Sequence, residues 1–392
     1  MNILNKIKQL SEAHFNDVLE LRKYLHQNPE LSFCEENTQK VICDKLKEEG
    51  IDFFKSQSGY GVVALVKGKN PNKCCIGLRA DMDALPIDEE NNISFKSRVK
   101  GVMHACGHDV HMSCLIGAAQ ILNNLKNDFE GSVKLIFQPA EEMIPGGAKT
   151  MIKEGVLENP KVDFMLAQHV SPEIKTGKVG MKEDMFMAST DEIYIDLIGK
   201  GGHAALPEKN INPIISAAKL ILELNDFFKN QKHDNVFSIG YFNAQGSTNI
   251  VPDIVKLKGT FRAMNEEFRD NSHKTIRSII KKITLKEKSD YKLEIKKGYP
   301  YLKNDISLTG DVFSFSQDYL GKENVLKIKK RMTAEDFAYF SLLVPSCFYR
   351  LGVGDGVFVR NLHTSTFNID DNSLKTGMGL LCWNAISILN KF

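Results

Sequence analysis

Met103-His104-Ala105-Cys106-Gly107-His108-Asp109-Val110-His111 places three of the chain's ten histidines, a thiol and a carboxylate within one short stretch that holds no lysine or arginine. It lies between a strand-like apolar run, Cys74 to Arg79, and a segment from about Val110 to Leu125 whose apolar spacing predicts a helix. Ser132 to Phe137 then reads as a further strand. A strand, a loop rich in ligand atoms, a helix and a strand, in that order, point to an α/β fold whose sheet is covered by helices. Gly107 lets the backbone turn tightly enough to aim Cys106 and His108 at one point. Thiol and imidazole gathered this closely suit a transition metal such as zinc or manganese. Any one of these histidines alone would read as a hydrogen-bonded core residue. Two ligands do not make a site, so the rest must come from elsewhere in the chain.

Upstream, the pattern predicts a helix from about Ser11 to Gln27, with Ser11 as its N-cap and Asn28-Pro29-Glu30 as its end. A second helix is expected near Glu36 to Glu48, and a strand over Gly61 to Val66. Downstream, a helix near Ala148 to Glu154 and a strand from Asp163 to Gln168, ending in His169, continue the alternation. The Ser132 to Phe137 strand runs into Gln138-Pro139-Ala140-Glu141-Glu142. Carboxylates at the carboxyl end of a strand lie where open α/β sheets usually place their sites. Side chains alternate along an extended segment, so the two glutamates are expected to point different ways. One would face a metal and the other the space for a water. An isolated Glu-Glu pair would read as a solvated loop.

The pattern changes after about Ala188. A strand over Glu192 to Gly199 is followed by a helix opened by Asn212-Pro213 and running to about Lys229. Strands near Val236 to Phe242 and Ile254 to Arg262, a helix from about Glu266 to Lys282 and a strand from Tyr291 to Lys297 complete the order of a ferredoxin-like α+β unit. The reading is therefore a discontinuous catalytic domain, 1–182 and 300–392, built on a helix-covered mixed sheet, with 183–299 inserted into it. Helices are expected near Ser307 to Leu320, Ala334 to Leu343 and Asp371 to Lys391, with His363 in the loop Asn361 to Ser365. Cys106, His108, Glu142, His169 and His363 together would give five ligands, enough for two metals sharing a water.

Composition bounds the function. A chain of 392 residues exceeds what one core normally serves. Its 42% hydrophobic and 26% charged residues are those of an ordinary soluble protein. A formal net charge of +2 is too small to argue for nucleic acid or an anionic membrane, and neither is expected as a partner. The basic run Lys327 to Arg331 reads as a solvated loop or strand end. No run reaches the roughly 18 apolar residues of a membrane span, and Met1 to Lys8 lacks the features of a signal peptide. Eight cysteines without regular spacing do not form a disulfide framework. Cys74 and Cys75 read as buried thiols, and a reducing, cytoplasmic setting would suit a thiolate at Cys106.

Arg79-Ala80-Asp81-Met82-Asp83-Ala84-Leu85-Pro86, His104 to Asp109, Phe137 to Glu142, Gly199-Lys200-Gly201-Gly202-His203-Ala204 and Met332-Thr333-Ala334-Glu335-Asp336-Phe337 together resemble the two-metal amidohydrolase family. That family holds aminoacylases, hippurate hydrolases, microbial carboxypeptidases and plant auxin-conjugate hydrolases. The likeness runs from Leu25-His26 to the last helix. It implies that Cys106, His108, Glu142, His169 and His363 ligate two divalent ions, zinc or manganese with cobalt or nickel as further options. Glu141 would be the general base, with Asp83 behind the site orienting it. His203, in the inserted domain, would reach the active site of a second copy in a homodimer and hold the oxyanion. Asn249 and Arg262 would grip the substrate carboxylate, Arg262 through its planar fork. Val251 stands where members often have Val and Ile in the other order, a conservative swap. The implied activity is hydrolysis of N-acetyl or N-aroyl amino acids to a carboxylic acid and a free amino acid. The alternatives are a deacetylase of N-acetyl-diaminopimelate in lysine biosynthesis, a small-peptide carboxypeptidase, and a non-catalytic metal-binding homologue.

Overall fold

The computed structural model describes residues 2–357 and 360–392. The expected first helix is two. Helix α1 (Ile3–Ala13) is capped by the Asn2 side chain, and α2 (Phe15–Gln27) follows directly after His14. Ser11 does not cap a helix. It is buried inside α1, where its hydroxyl donates to the Ile7 carbonyl at 2.8 Å. Helix α3 (Glu36–Glu48) precedes strands β1 (Phe53–Lys55), β2 (Val62–Lys67) and β3 (Cys75–Asp81). Helix α4 (His108–Asn124), β4 (Ser132–Gln138), α5 (Gly147–Lys153), β5 (Phe164–Lys175) and β6 (Val179–Met181) come next. Strand β5 runs well past the expected end at Gln168, because its pairing with β3 stops at Ala167 while a second neighbour carries it further.

Beyond the short strand β7 (Asp184–Met187) come β8 (Asp191–Ile198), β9 (Gly202–His203), α6 (Pro213–Lys229), β10 (Asn235–Ala244), β11 (Ile250–Val251), β12 (Ile254–Ala263), α7 (Glu266–Glu287) and β13 (Asp290–Lys297). The chain then forms β14 (Leu302–Asn304), α8 (Ile306–Leu320), β15 (Val325–Lys327), α9 (Ala338–Ser341), β16 (Ser346–Gly354) and α10 (Ser373–Lys391). Helix α9 is much shorter than the expected Ala334 to Leu343. Asp336 instead turns its carboxylate to Arg79, Gln138 and the Ala148 N–H at 2.7–3.0 Å. Strand β16 has no counterpart in the sequence reading.

By compactness the chain divides into two units: 1–184 with 303–329 and 336–392, and 185–302 with 330–335. The first is built on an eight-stranded mixed sheet in the order β1-β2-β4-β3-β5-β16-β6-β15. Strands β3, β4, β5 and β16 run parallel at its centre. Strands β3, β4 and β16 are buried along their whole length, which is why β3 and β4 read as continuous rather than alternating runs. Helices α4 and α10, almost wholly buried, supply much of the core through Leu115, Ile121, Met378, Leu381 and Ile388. All eight cysteines are free, and all but Cys34 are buried.

The second unit holds a four-stranded antiparallel sheet in the order β10-β12-β8-β13. Strand β8 alternates buried and half-buried residues, sending Ile193, Ile195 and Leu197 into a core with Leu220 and Leu224 of α6 and Ile276 and Ile280 of α7. Asn212 caps α6 by accepting the Ile214 N–H at 3.0 Å, with Pro213 at the first helical position. No helix among the described residues is long and apolar enough to cross a membrane.

Candidate metal centre

The carboxyl ends of β3 and β4, the start of α4 and the middle of β5 meet in the first unit, and each contributes for a local reason. At α4, Gly107 adopts φ +81° ahead of His108. A side chain there would also strike Val170, since a Cβ would lie 2.5 Å from its Cγ2. The turn brings Cys106 and His108 to the base of the sheet's parallel centre. His169 of β5 faces them, with Nε2 3.4 Å from the Cys106 sulfur. His363 is anchored beside this loop by its N–H, which donates to the Ala105 carbonyl at 2.9 Å. Its Nε2 stands 3.3 Å from the Cys106 sulfur and 3.3 Å from Glu142 Oε1. Sequence separations as large as 257 residues thus close to van der Waals range.

Donor atoms of Cys106, His108 and His169 lie within 4.8 Å of one another, as do those of Cys106, Glu142 and His363, and those of His108, Glu141 and Glu142. The first two groups overlap at Cys106. The two glutamates therefore converge, contrary to the divergence expected of an extended segment. The strand ends at Gln138, and Ala140 turns at φ +54°, so Glu141 and Glu142 do not follow strand alternation.

Hydrogen bonds decide which imidazole nitrogens remain available. His111 accepts the Val170 N–H on Nε2 at 2.9 Å and turns Nδ1 to Asp81 at 2.5 Å, so neither nitrogen is open to an ion. His169 donates from Nδ1 to the Val170 carbonyl at 2.9 Å, which leaves the Nε2 lone pair toward Cys106. His108 places Nδ1 3.3 Å from Asp83 Oδ1 and Nε2 3.9 Å from Glu142 Oε1. A carboxylate behind a histidine in this way fixes its tautomer and raises its basicity as a ligand.

The electrostatics call for positive charge. Burial works against protonation of His108, yet Asp81 first, then Asp83 and Glu142, push it up to about 10. Burial, then Glu142 and Glu141, drive the Cys106 thiol well above its ordinary range. The protein's own groups alone favour the thiol at Cys106, and a nearby cation favours the expected thiolate. Burial, with Arg350 next, holds His169 well below the ordinary histidine value and so neutral. Nε2 of His108 and Oε1 of Glu142 are buried without a hydrogen-bond partner. Orphaned donor atoms, neutral imidazole and surplus carboxylate are what a divalent ion of the zinc or manganese type satisfies, and the residues present fit such a group.

Asp83 lies behind this cluster, fully buried. Its Oδ1 accepts the Glu141 N–H at 3.0 Å, and its Oδ2 accepts the Glu142 N–H at 2.9 Å and the Ser32 hydroxyl at 2.6 Å. Ser32 and Glu35 were not singled out from the sequence, and Asp81 and His111 were quoted in their motifs without a role. Ser32 and Glu35 sit in an irregular loop, Leu31 to Glu35, where no periodicity marks them. The remaining residues named from the sequence belong to the second unit. His203 lies on β9, paired with Ile250 of β11, and Asn249 just before β11 accepts the Ala204 N–H on its carbonyl at 2.9 Å. His203 is exposed and accepts the Ala205 N–H on Nδ1 at 3.1 Å. Arg262 lies on β12, half-buried, opposite Val236, and burial lowers its pKa.

A family model described as peptidase family M20/M25/M40 matches residues 77–383. The hippurate hydrolase of Campylobacter jejuni is 35% identical over 380 residues, covering 95% of this chain and 96% of the relative. The N-acetyl-L-cysteine deacetylase of Bacillus subtilis is 34% identical over 358 residues, 90% of this chain and 84% of the relative. The crystal structure of a dinuclear metal binding peptidase from the M20 family of Bacillus subtilis superposes with a TM-score of 0.84 at 31% identity, covering 97% of this chain and all of that one.

Proposed function

The chain belongs to peptidase family M20/M25/M40 as a metal-dependent amidohydrolase, and on that premise we propose that it cleaves the amide bond of N-acyl amino acids, with two divalent ions held by Cys106, His108, Glu142, His169 and His363. The observation that carries this reading is the overlap of two donor groups at Cys106, with Glu141 beside them but needed by neither. Zinc or manganese held by these residues would supply Lewis acidity for the amide carbonyl and for the attacking water.

Glu141, buried and held by its backbone to Asp83, accepts the proton of that water and delivers it to the departing amine nitrogen. Asp83 acts through others: it fixes the His108 ring and the turn carrying both glutamates. Arg262 and Asn249 take the substrate carboxylate, for which a guanidinium fork is suited. His203 donates to the developing oxyanion from the second unit of another copy in a homodimer. The substrate is then a small molecule with an acyl group on one side of the amide and a free carboxylate on the other. The acetyl and benzoyl compounds named for the two relatives both have this form.

The test is a rate survey over N-acetyl and N-benzoyl amino acids with metal-stripped protein and with protein reloaded with zinc, manganese, cobalt or nickel in turn. The expected result is activity that vanishes on stripping and returns on reloading. Activity that survives chelation overturns the reading.

A further inference from the structure

Three successive backbone N–H groups in the turn after β4 are captured by two buried carboxylates. Those of Glu141 and Glu142 go to Asp83, and that of Ala140 goes to Glu35 Oε1 at 2.8 Å. Ala140 needs such an anchor more than its neighbours do. Its φ of +54° lies in the left-handed region, which L residues with a Cβ enter only at a cost. Its carbonyl is held in turn by the Gly147 N–H at 3.0 Å. The conformation persists because its surroundings over-determine it, as strained backbone at functional sites requires. This kink is what breaks strand alternation and lets Glu141 and Glu142 share one neighbourhood with His108.

Glu35 is itself rigidly placed. The segment bearing it runs beside the Asp83 stretch, with the Ala84 N–H donating to the Glu30 carbonyl at 2.8 Å. The Glu30 carboxylate ties down the N–H groups of Asn37 and Thr38 at the start of α3. Glu35 is fully buried. Burial, and after it the charge of Asp83, push its carboxyl up to about 7. Its second oxygen has no hydrogen-bond partner. A surface glutamate would avoid these costs, so the observation that explains Glu35 is the bond to Ala140.

We propose that Glu35 is a positioning residue for the metal-dependent reaction: by accepting the Ala140 N–H it holds the left-handed turn that aims Glu142 at the metals and Glu141 at the water. The inference rests on the functional reading above and adds to Asp83 a second, independent clamp on the same three-residue turn. Residues that orient metal ligands from behind change metal affinity or activity by about 10- to 100-fold when lost.

The experiment compares Glu35→Leu, which keeps the bulk and removes the acceptor, with Glu35→Gln, whose amide oxygen can still accept. Metal affinity is read by competition with a chromogenic chelator, and kcat and KM are read separately on an N-acyl amino acid. Leu46→Ala, a buried change on α3 away from the turn, controls for general destabilisation. The expected result is that Glu35→Leu weakens metal binding by about 10- to 100-fold and lowers kcat with KM little moved. Glu35→Gln restores both, and Leu46→Ala lowers the melting temperature without touching either. Should Glu35→Leu not fold, Glu35→Asp, with its reach shortened by one methylene, is expected to show the same loss in milder form. Wild-type metal affinity in Glu35→Leu or Glu35→Asp, or a Glu35→Gln variant as impaired as Glu35→Leu, overturns the proposal. A wild-type chain that binds metal but hydrolyses no N-acyl amino acid strikes the functional reading alone, and the affinity comparison still judges Glu35.

Discussion

Arg22 and Asp109 meet fully buried, Nε to Oδ2 at 2.9 Å, across 87 residues of sequence. His26 shares the same oxygen through Nδ1 at 2.9 Å and places its Nε2 3.2 Å from Glu89. Asp109 directly follows His108, so this network ties the first turn of α4 to α2. Removing one partner of a buried ion pair strands the other charge, at a cost of about 3–5 kcal/mol. Arg22→Met is therefore expected to lower the unfolding free energy of the first unit by that amount in a urea titration of the metal-free chain. A loss below about 1 kcal/mol, the range of an exposed pair, would show that the network is not what holds α4 in place.

Glu141→Gln is expected to bind metal as the wild type does and to turn over about 10²- to 10⁴-fold more slowly, the range for a lost general base. Metal content by elemental analysis and single-turnover rates check the two halves separately. Unchanged turnover removes Glu141 from the proton path.

Gly107→Ala combines a positive φ with a Cβ 2.5 Å from Val170 Cγ2. The left-handed conformation alone costs about 1–2 kcal/mol for a residue with a side chain. The variant is expected to be less stable by at least that much and to bind metal more weakly, because the turn between Cys106 and His108 must open. Trimming the obstacle with Val170→Ala should recover part of the loss beyond additivity. Strictly additive effects would mean that the contact with Val170 is immaterial.

In the second unit Asp191 is buried against Arg269, Nε to Oδ2 at 3.0 Å, and His273, Nε2 to Oδ2 at 2.6 Å. Burial raises its pKa, but the His273 hydrogen bond and then Arg269 outweigh it, and the carboxyl sits below its ordinary value. A carboxyl whose folded pKa is depressed stabilises fully above its unfolded value of about 3.9 and loses that stabilisation as pH falls toward the folded value. Protection of the α7 amides, corrected for the intrinsic exchange rate at each pH, is accordingly expected to fall below about pH 4. Asp191→Asn, less stable at neutral pH, should show a flatter acid dependence. An unchanged acid limb would assign that dependence to other carboxylates.

Much of the architecture was legible because local chemistry and tertiary structure agree. The helix at Glu36 to Glu48 and the strand from Ser132 stand where periodicity puts them, and Asn212-Pro213 opens its helix as cap and first residue. Strand β16 was not legible. Ser346 to Gly354 is a buried run interrupted by Arg350 and two glycines, and it follows closely on Leu342-Leu343, which extended the apparent helix before it. Individual donors at Cys106, His108 and Glu142 stood out by residue type and neighbours. No spacing rule connects them to His363, which joins them through a backbone bond to Ala105. The convergence of Glu141 and Glu142 was missed because it depends on the turn at Ala140, and that turn depends on a glutamate over a hundred residues upstream.

Strand β16 lies between β5 and β6 in the sheet although it is the last strand to be made. As the ribosome releases the chain, β5 emerges with its far edge bare, and the whole second unit follows before Ser346 appears. At about 5–20 residues per second that interval lasts on the order of ten seconds or more. Through that time the nascent protein carries an unpaired, apolar strand edge in its middle, the kind of surface that pairs with a neighbouring chain. Rapid, autonomous folding of the second unit would shorten the exposed stretch of the tether, and a chaperone that shields β5 until β16 arrives would raise the yield of functional protein.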